Sequence, residues 1–94
     1  MVIKSSGKLG ASGLIFTGPC HLIGVSYTAD TTTETTITVY DSITAANTAI
    51  AFLMPSDEVH TINIMFPGKG IPCSAGLYAS MSAETGDYII YYSL

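Results

Sequence analysis

Thr35-Thr-Ile-Thr-Val-Tyr-Asp41 decides the class of fold. It alternates with period two: Ile37 and Val39 fall on one face, Thr36, Thr38 and Tyr40 on the other. His60-Thr-Ile-Asn-Ile-Met-Phe66 repeats the pattern, with Ile62, Ile64 and Phe66 opposite Thr61, Asn63 and Met65. A helix gathers residues three and four apart onto one face, whereas a strand sends successive side chains to opposite faces. Each stretch therefore suits a sheet buried on one side. The residue types agree, because β-branched and aromatic side chains fit a pleated surface.

Outward from these two stretches the chain reads as further short strands. Cys20 to Thr28 sets His21, Ile23, Val25 and Tyr27 against Leu22, Gly24, Ser26 and Thr28. Leu14-Ile-Phe-Thr17 lies between Gly13 and Gly18-Pro19, Ala49 to Met54 stops at Pro55, and Leu77 to Met81 follows Gly76. Asp87-Tyr-Ile-Ile-Tyr-Tyr92 is apolar or aromatic on both faces. Turn chemistry separates them: Asp30 to Glu34, Pro55 to Glu58, Phe66 to Gly70 and Ala83 to Asp87. Ser42 to Asn47 is the one helical candidate, a single turn at most, and more naturally a connection between strands. About seven or eight strands at this spacing predict an all-β fold, a two-sheet antiparallel sandwich. A jelly-roll-like arrangement is favoured, with an immunoglobulin-like sandwich as the alternative. The latter wants a Trp near a Cys pair, but the chain has no Trp and Cys73 falls in no obvious strand.

The chain has 94 residues, enough for one modest core. We expect a single sandwich domain over residues 13–94, preceded by an N-terminal arm over 1–12. The polar content is mostly hydroxyl, and only 11% of residues are charged, against about 25% in an average soluble domain. Seven acidic residues, three Lys and no Arg give a net charge of −4. Lys4, Lys8 and Lys69 cannot neutralise the phosphates that nucleic-acid binding requires. Leu9 to Ala29 is free of charge, but its glycines, Pro19 and His21 break it into short apolar clusters, so no membrane span is expected. The N-terminus lacks the apolar run of a signal peptide. Cys20 and Cys73 have no metal-ligand spacing and read as buried or half-buried free thiols, with one disulfide as the alternative.

No reaction centre is legible in the residues. Asp57-Glu-Val-His60 holds two carboxylates and an imidazole, too few converging ligands for a metal, and reads as a solvated tip. His21 and His60 together fall short of a multi-histidine metal site of the cupin type. No Ser sits in a GxSxG elbow, and Gly68-Lys-Gly70 lacks the spacing of a phosphate-binding loop. The expectation is a protein that is not an enzyme and uses no cofactor.

What remains is surface. A small sandwich with so few charges covers itself with hydroxyl, glycine and apolar atoms, which lose little solvation when a partner covers them. The last strand puts Tyr88, Ile90 and Tyr92 on one face and Ile89 and Tyr91 on the other, so one face should stay outside. Tyrosine suits interfaces because a large apolar body carries a polar tip. Tyr88, Tyr91 and Tyr92, with Val2 and Ile3 of the arm, are the candidate interface residues.

Three segments together carry a resemblance. Gly24-Val-Ser-Tyr27 runs through a Thr-rich tip into Thr38-Val-Tyr-Asp-Ser42; Gly70-Ile-Pro-Cys-Ser-Ala-Gly-Leu-Tyr78 follows; Tyr88-Ile-Ile-Tyr-Tyr92 closes the chain. These resemble small β-sandwich virion proteins of tailed bacteriophages, of the capsid decoration or cement type, over about residues 20 to 93. The resemblance implies a non-enzymatic homotrimer that is made in the bacterial cytoplasm and seated on the capsid surface. Its partners would be the major capsid protein and itself. It carries over no individual functional residue. The rival reading is a fibre or glycan- or receptor-binding module.

Overall fold

The computed structural model describes residues 2–28, 36–45, 49–53, 61–82 and 86–94, with backbone alone for 51–53. The Asp30–Glu34 tip, the Pro55–Glu58 turn and the Asp57-Glu-Val-His60 cluster lie outside the described residues. Among the described residues nine strands form two antiparallel sheets: β1 (Ile3–Ser5), β2 (Gly13–Thr17), β3 (Cys20–Thr28), β4 (Ile37–Tyr40), β5 (Ala49–Leu53), β6 (Thr61–Met65), β7 (Ile71–Cys73), β8 (Gly76–Met81) and β9 (Asp87–Ser93). One sheet runs β1-β9-β3-β6, with β7 also on β3; the other runs β2-β8-β4-β5. We call them the first and second sheet. Residues 42–45 form bends, and no helix occurs among the described residues. None therefore is long and apolar enough to cross a membrane.

The pairings nest. β4 pairs β5, β3 pairs β6 and β7, β2 pairs β8, and β1 pairs β9, each pair enclosing the previous one along the chain. The nested pairs alternate between the two sheets. Two further contacts, β3 with β9 and β4 with β8, join neighbouring pairs within a sheet.

The core lies between the sheets. Leu22, Val25, Tyr27, Tyr88 and Ile90 from the first meet Ile37, Val39, Leu77, Ala79 and Met81 from the second. The alternation read in β4 and β6 holds: Ile37 and Val39 are buried, and Thr61, Asn63 and Met65 are exposed. In β3 it fails midway. A bulge at Ile23, between the pairs Leu22–Tyr92 and Gly24–Tyr91, adds one residue to β3 and shifts the parity. Leu22 therefore joins Val25 and Tyr27 in the core, contrary to the strict alternation, and Ile23 is buried apart from that cluster.

Two expectations need correction. Cys73 falls inside a strand, β7, which occupies the same side of β3 as β6 does. Between them, Gly70 has φ +80° and lies so close to Leu22 that a Cβ there would meet the Leu22 carbonyl. The N-terminal stretch is likewise no free arm. Ile3, Lys4 and Ser5 pair with Ser93, Tyr92 and Tyr91, and Leu9 exchanges backbone hydrogen bonds with Tyr88 at 2.9 and 2.8 Å. Ser6 caps the Ile90 N–H through its Oγ at 2.9 Å, and Ser12 Oγ accepts from the Met81 N–H at 2.9 Å. Residues 3–12 are stitched to both sheets, because an edge strand with free backbone groups gains ladder hydrogen bonds by docking on its own sheet.

Candidate interaction surface

The expected interface residues separate into three groups. Val2 and Ile3 are exposed, at 72% and 52%, on the edge of the first sheet. Tyr91 is half-buried on that sheet's outer face. Tyr88 and Tyr92 point inward, which corrects their assignment. Tyr88 is 1% exposed, faces Tyr27 across the ladder, and donates its hydroxyl to the Ala11 carbonyl at 2.7 Å. Burial pushes its phenol up to about 12. Tyr92 packs on the core at its rim, with its ring centroid 5.5 Å from that of Phe16 in the opposite sheet. Because both faces of β9 are apolar, alternation could pair Tyr88 with Tyr92 but could not say which face was inside.

Each outer face carries a continuous uncharged row. On the first sheet Ser5, Tyr91, Gly24 and Met65 are successive register partners across β1, β9, β3 and β6. Gly24 is the floor of this row. A Cβ there would run into the Met65 sulfur and come within 2.6 Å of the Ile64 carbonyl, so only glycine lets Met65 lie across the strand. The next row holds Ile89, Ser26 and Asn63, with Ser26 Oγ donating to Asn63 Oδ1 at 2.6 Å. On the second sheet Leu14, Tyr78, Tyr40 and Ala49 are successive partners across β2, β8, β4 and β5. Leu14 is 50% exposed, and both tyrosines are half-buried.

The described charges avoid the middle of both faces. Lys8 and Asp87 pair at 3.5 Å at one end of the first sheet. Lys4 sits on edge strand β1 opposite Tyr92, and Lys69 in the loop before β7. Asp41, just past β4, accepts the backbone N–H groups of Ser74, Ala75 and Gly76 at 3.1, 2.9 and 3.4 Å. The Ala75 bond, with its neighbours, holds the carboxyl below its ordinary value. Met65, Tyr78, Tyr40 and Leu14 were absent from the expected interface. Tyr40 and Met65 lay on faces already read as outward from alternation, but neither face could be joined into a row without the register.

Among the described residues, two of the cavities lie beside the first sheet. One of about 200 Å³ is lined by Lys8, Ser26, Thr28, Asp87 and Ile89. The other, of about 280 Å³, is lined by His21, Lys69, Ser93 and Leu94. Neither sets a nucleophile beside a base and an orienting acid, the arrangement acyl transfer needs. Among the described residues no three His, Cys, Asp or Glu side chains converge as metal ligands. No family model matches the chain, and no curated protein and no solved structure matches it either.

Proposed function

We propose that this chain is a capsid decoration protein of the tailed-bacteriophage type. It would bind the outside of a capsid shell as a homotrimer and bridge neighbouring major capsid subunits. The observation that carries this reading is the pair of charge-free aromatic and aliphatic rows on the two outer faces, Ser5-Tyr91-Gly24-Met65 and Leu14-Tyr78-Tyr40-Ala49. Isolated exposed apolar residues are ordinary; a contiguous row free of charge is what a partner covers at little desolvation cost. A standard contact takes about 800 Å² from each partner, a modest share of the 5009 Å² this chain exposes. Three such contacts from one trimer gain avidity over a single one, and separating the shell subunits would then require losing them together. The nested pairing supports reading the sandwich as a jelly roll, an antiparallel ribbon rolled up on itself. The resemblance of the three quoted segments points the same way.

The test is co-sedimentation of the purified chain with preformed shells lacking it, alongside its mass by light scattering. A trimer that pellets with shells is the expected result; a monomer at micromolar concentration that stays in solution overturns the reading. A glycan-binding module is the second reading. It is favoured by the cavity where Asp87, Ser26 and Thr28 surround Ile89, a mix of polar groups and an apolar floor suited to a sugar ring. Binding on a glycan array, with no binding to shells, would select it.

A further inference from the structure

We propose that Cys20 and Cys73 form a modification site: a facing dithiol that a small disulfide oxidant, such as glutathione disulfide, converts to an intramolecular disulfide. This inference stands apart from the capsid reading. The two residues are direct register partners in the β3–β7 ladder, followed by His21–Pro72 and Leu22–Ile71. Antiparallel pairs alternate between those that exchange two N–H···O bonds and those that exchange none. Pro72 has no N–H, so the exchanging pairs are Cys20–Cys73 and Leu22–Ile71. Such a pair has its Cα atoms about 5.5 Å apart, inside the roughly 4.4–6.8 Å that a disulfide spans. Both side chains point into the same core cluster, at 3% and 4% exposure, and both are free thiols. Cys73 Sγ lies 3.5 Å from the Ile71 carbonyl, to which it donates.

The strand that the bond would hold is short and supplies few ladder hydrogen bonds. β7 has three residues, a proline at its centre, and β3 as its one strand partner among the described residues. It leads directly into the turn that Asp41 caps. A disulfide across 53 positions of chain would restrain the unfolded state and fasten this strand covalently.

The chemistry balances as two thiol–disulfide exchanges. One cysteine thiolate attacks a sulfur of glutathione disulfide and expels a glutathione thiolate, leaving a mixed disulfide. The second cysteine thiolate then attacks the protein sulfur and expels the other glutathione. The two cysteines are oxidised, glutathione disulfide is reduced to two glutathiones, and each cysteine proton ends on a glutathione. Burial raises both thiols, Cys73 to about 12. Closure is therefore slow, and the dithiol persists wherever the surroundings are reducing.

The experiment incubates the reduced full chain with glutathione disulfide at a temperature well below its unfolding midpoint. The product is quenched in acid, denatured, alkylated and weighed by mass spectrometry. The expected product is a monomer lighter by two hydrogens, without alkyl or glutathione adducts. Its thermal midpoint should lie about 10 °C above that of the same protein kept in dithiothreitol. Two alkyl groups, persistent glutathione adducts, disulfide-linked dimers, or an unchanged or lower midpoint would overturn the proposal. Closure seen only in urea would also overturn it. Cys20→Ser and Cys73→Ser should each lose the midpoint shift. If either fails to fold, the comparison of oxidised with reduced wild type decides alone.

Discussion

At the scale of single residues, Tyr88 shows how one side chain can be mistaken for an adhesive and turn out to be a keystone. Its ring is buried against Tyr27, and its hydroxyl ties the N-terminal stretch to β9 through the Ala11 carbonyl. Tyr88→Phe keeps the ring but removes the donor to that carbonyl. We expect a loss of about 1–2 kcal/mol in urea unfolding, with the fold retained. The phenol also predicts an alkaline limb. A group whose folded pKa is raised contributes fully below its unfolded value and is lost as pH rises toward the folded value. Cys73, raised from 9.0, and Tyr88, raised from 10.0, both to about 12, should make stability fall between pH 9 and 12. In Tyr88→Phe the part of that fall above pH 10 should flatten; an unaltered limb would place the titration elsewhere.

At the scale of elements, the strands that pair with a polar outer face were legible. Thr36, Thr38 and Tyr40 against Ile37 and Val39 could be read from residue types alone, since one face had to be wet. β3 was half legible, because Gly24 signals a break in the regular strand while Leu22-Ile-Gly-Val25 does not say which residue is the extra one. β1 and β7 were illegible for a different reason. Three residues carry no periodicity, and both depend on a ladder supplied by strands distant in sequence. Asp41 also escaped the sequence reading, for its carboxylate serves a turn more than thirty positions away. Asp41→Ala should cost about 0.5–1 kcal/mol, the lower part of the range for a lost cap, because solvent screens a partly exposed group. Its folded pKa lies below the ordinary 3.8. The contribution is therefore complete above about pH 5 and vanishes as the folded carboxyl is protonated. The gap between wild type and Asp41→Ala in thermal melts should close as pH falls from 5 toward 2. A gap that persisted there would assign the effect to packing instead.

At the scale of the whole molecule, the low charge of the chain was informative and its placement was not. Composition said that uncharged surface must exist; only the register gathered it into one row on each sheet. Met65→Lys and Leu14→Lys test the two faces separately. Each puts an ammonium on an exposed position outside the core, so stability should change by less than about 0.5 kcal/mol. If the first sheet's face meets a partner, Met65→Lys should disrupt the trimer or the shell contact at least tenfold. Leu14→Lys should do the same for the second face. If both variants assemble like wild type, neither row is an interface. The nested pairing has a kinetic consequence. The β4–β5 pairing spans the shortest separation, while Ile3 must find Ser93 across nearly the full chain. Contacts distant in sequence close slowly, so the ribbon should zip from its middle toward its ends, with the β1–β9 seam closing after the rate-limiting step. In stopped-flow measurements Leu9→Ala should then quicken unfolding and leave the refolding rate almost untouched.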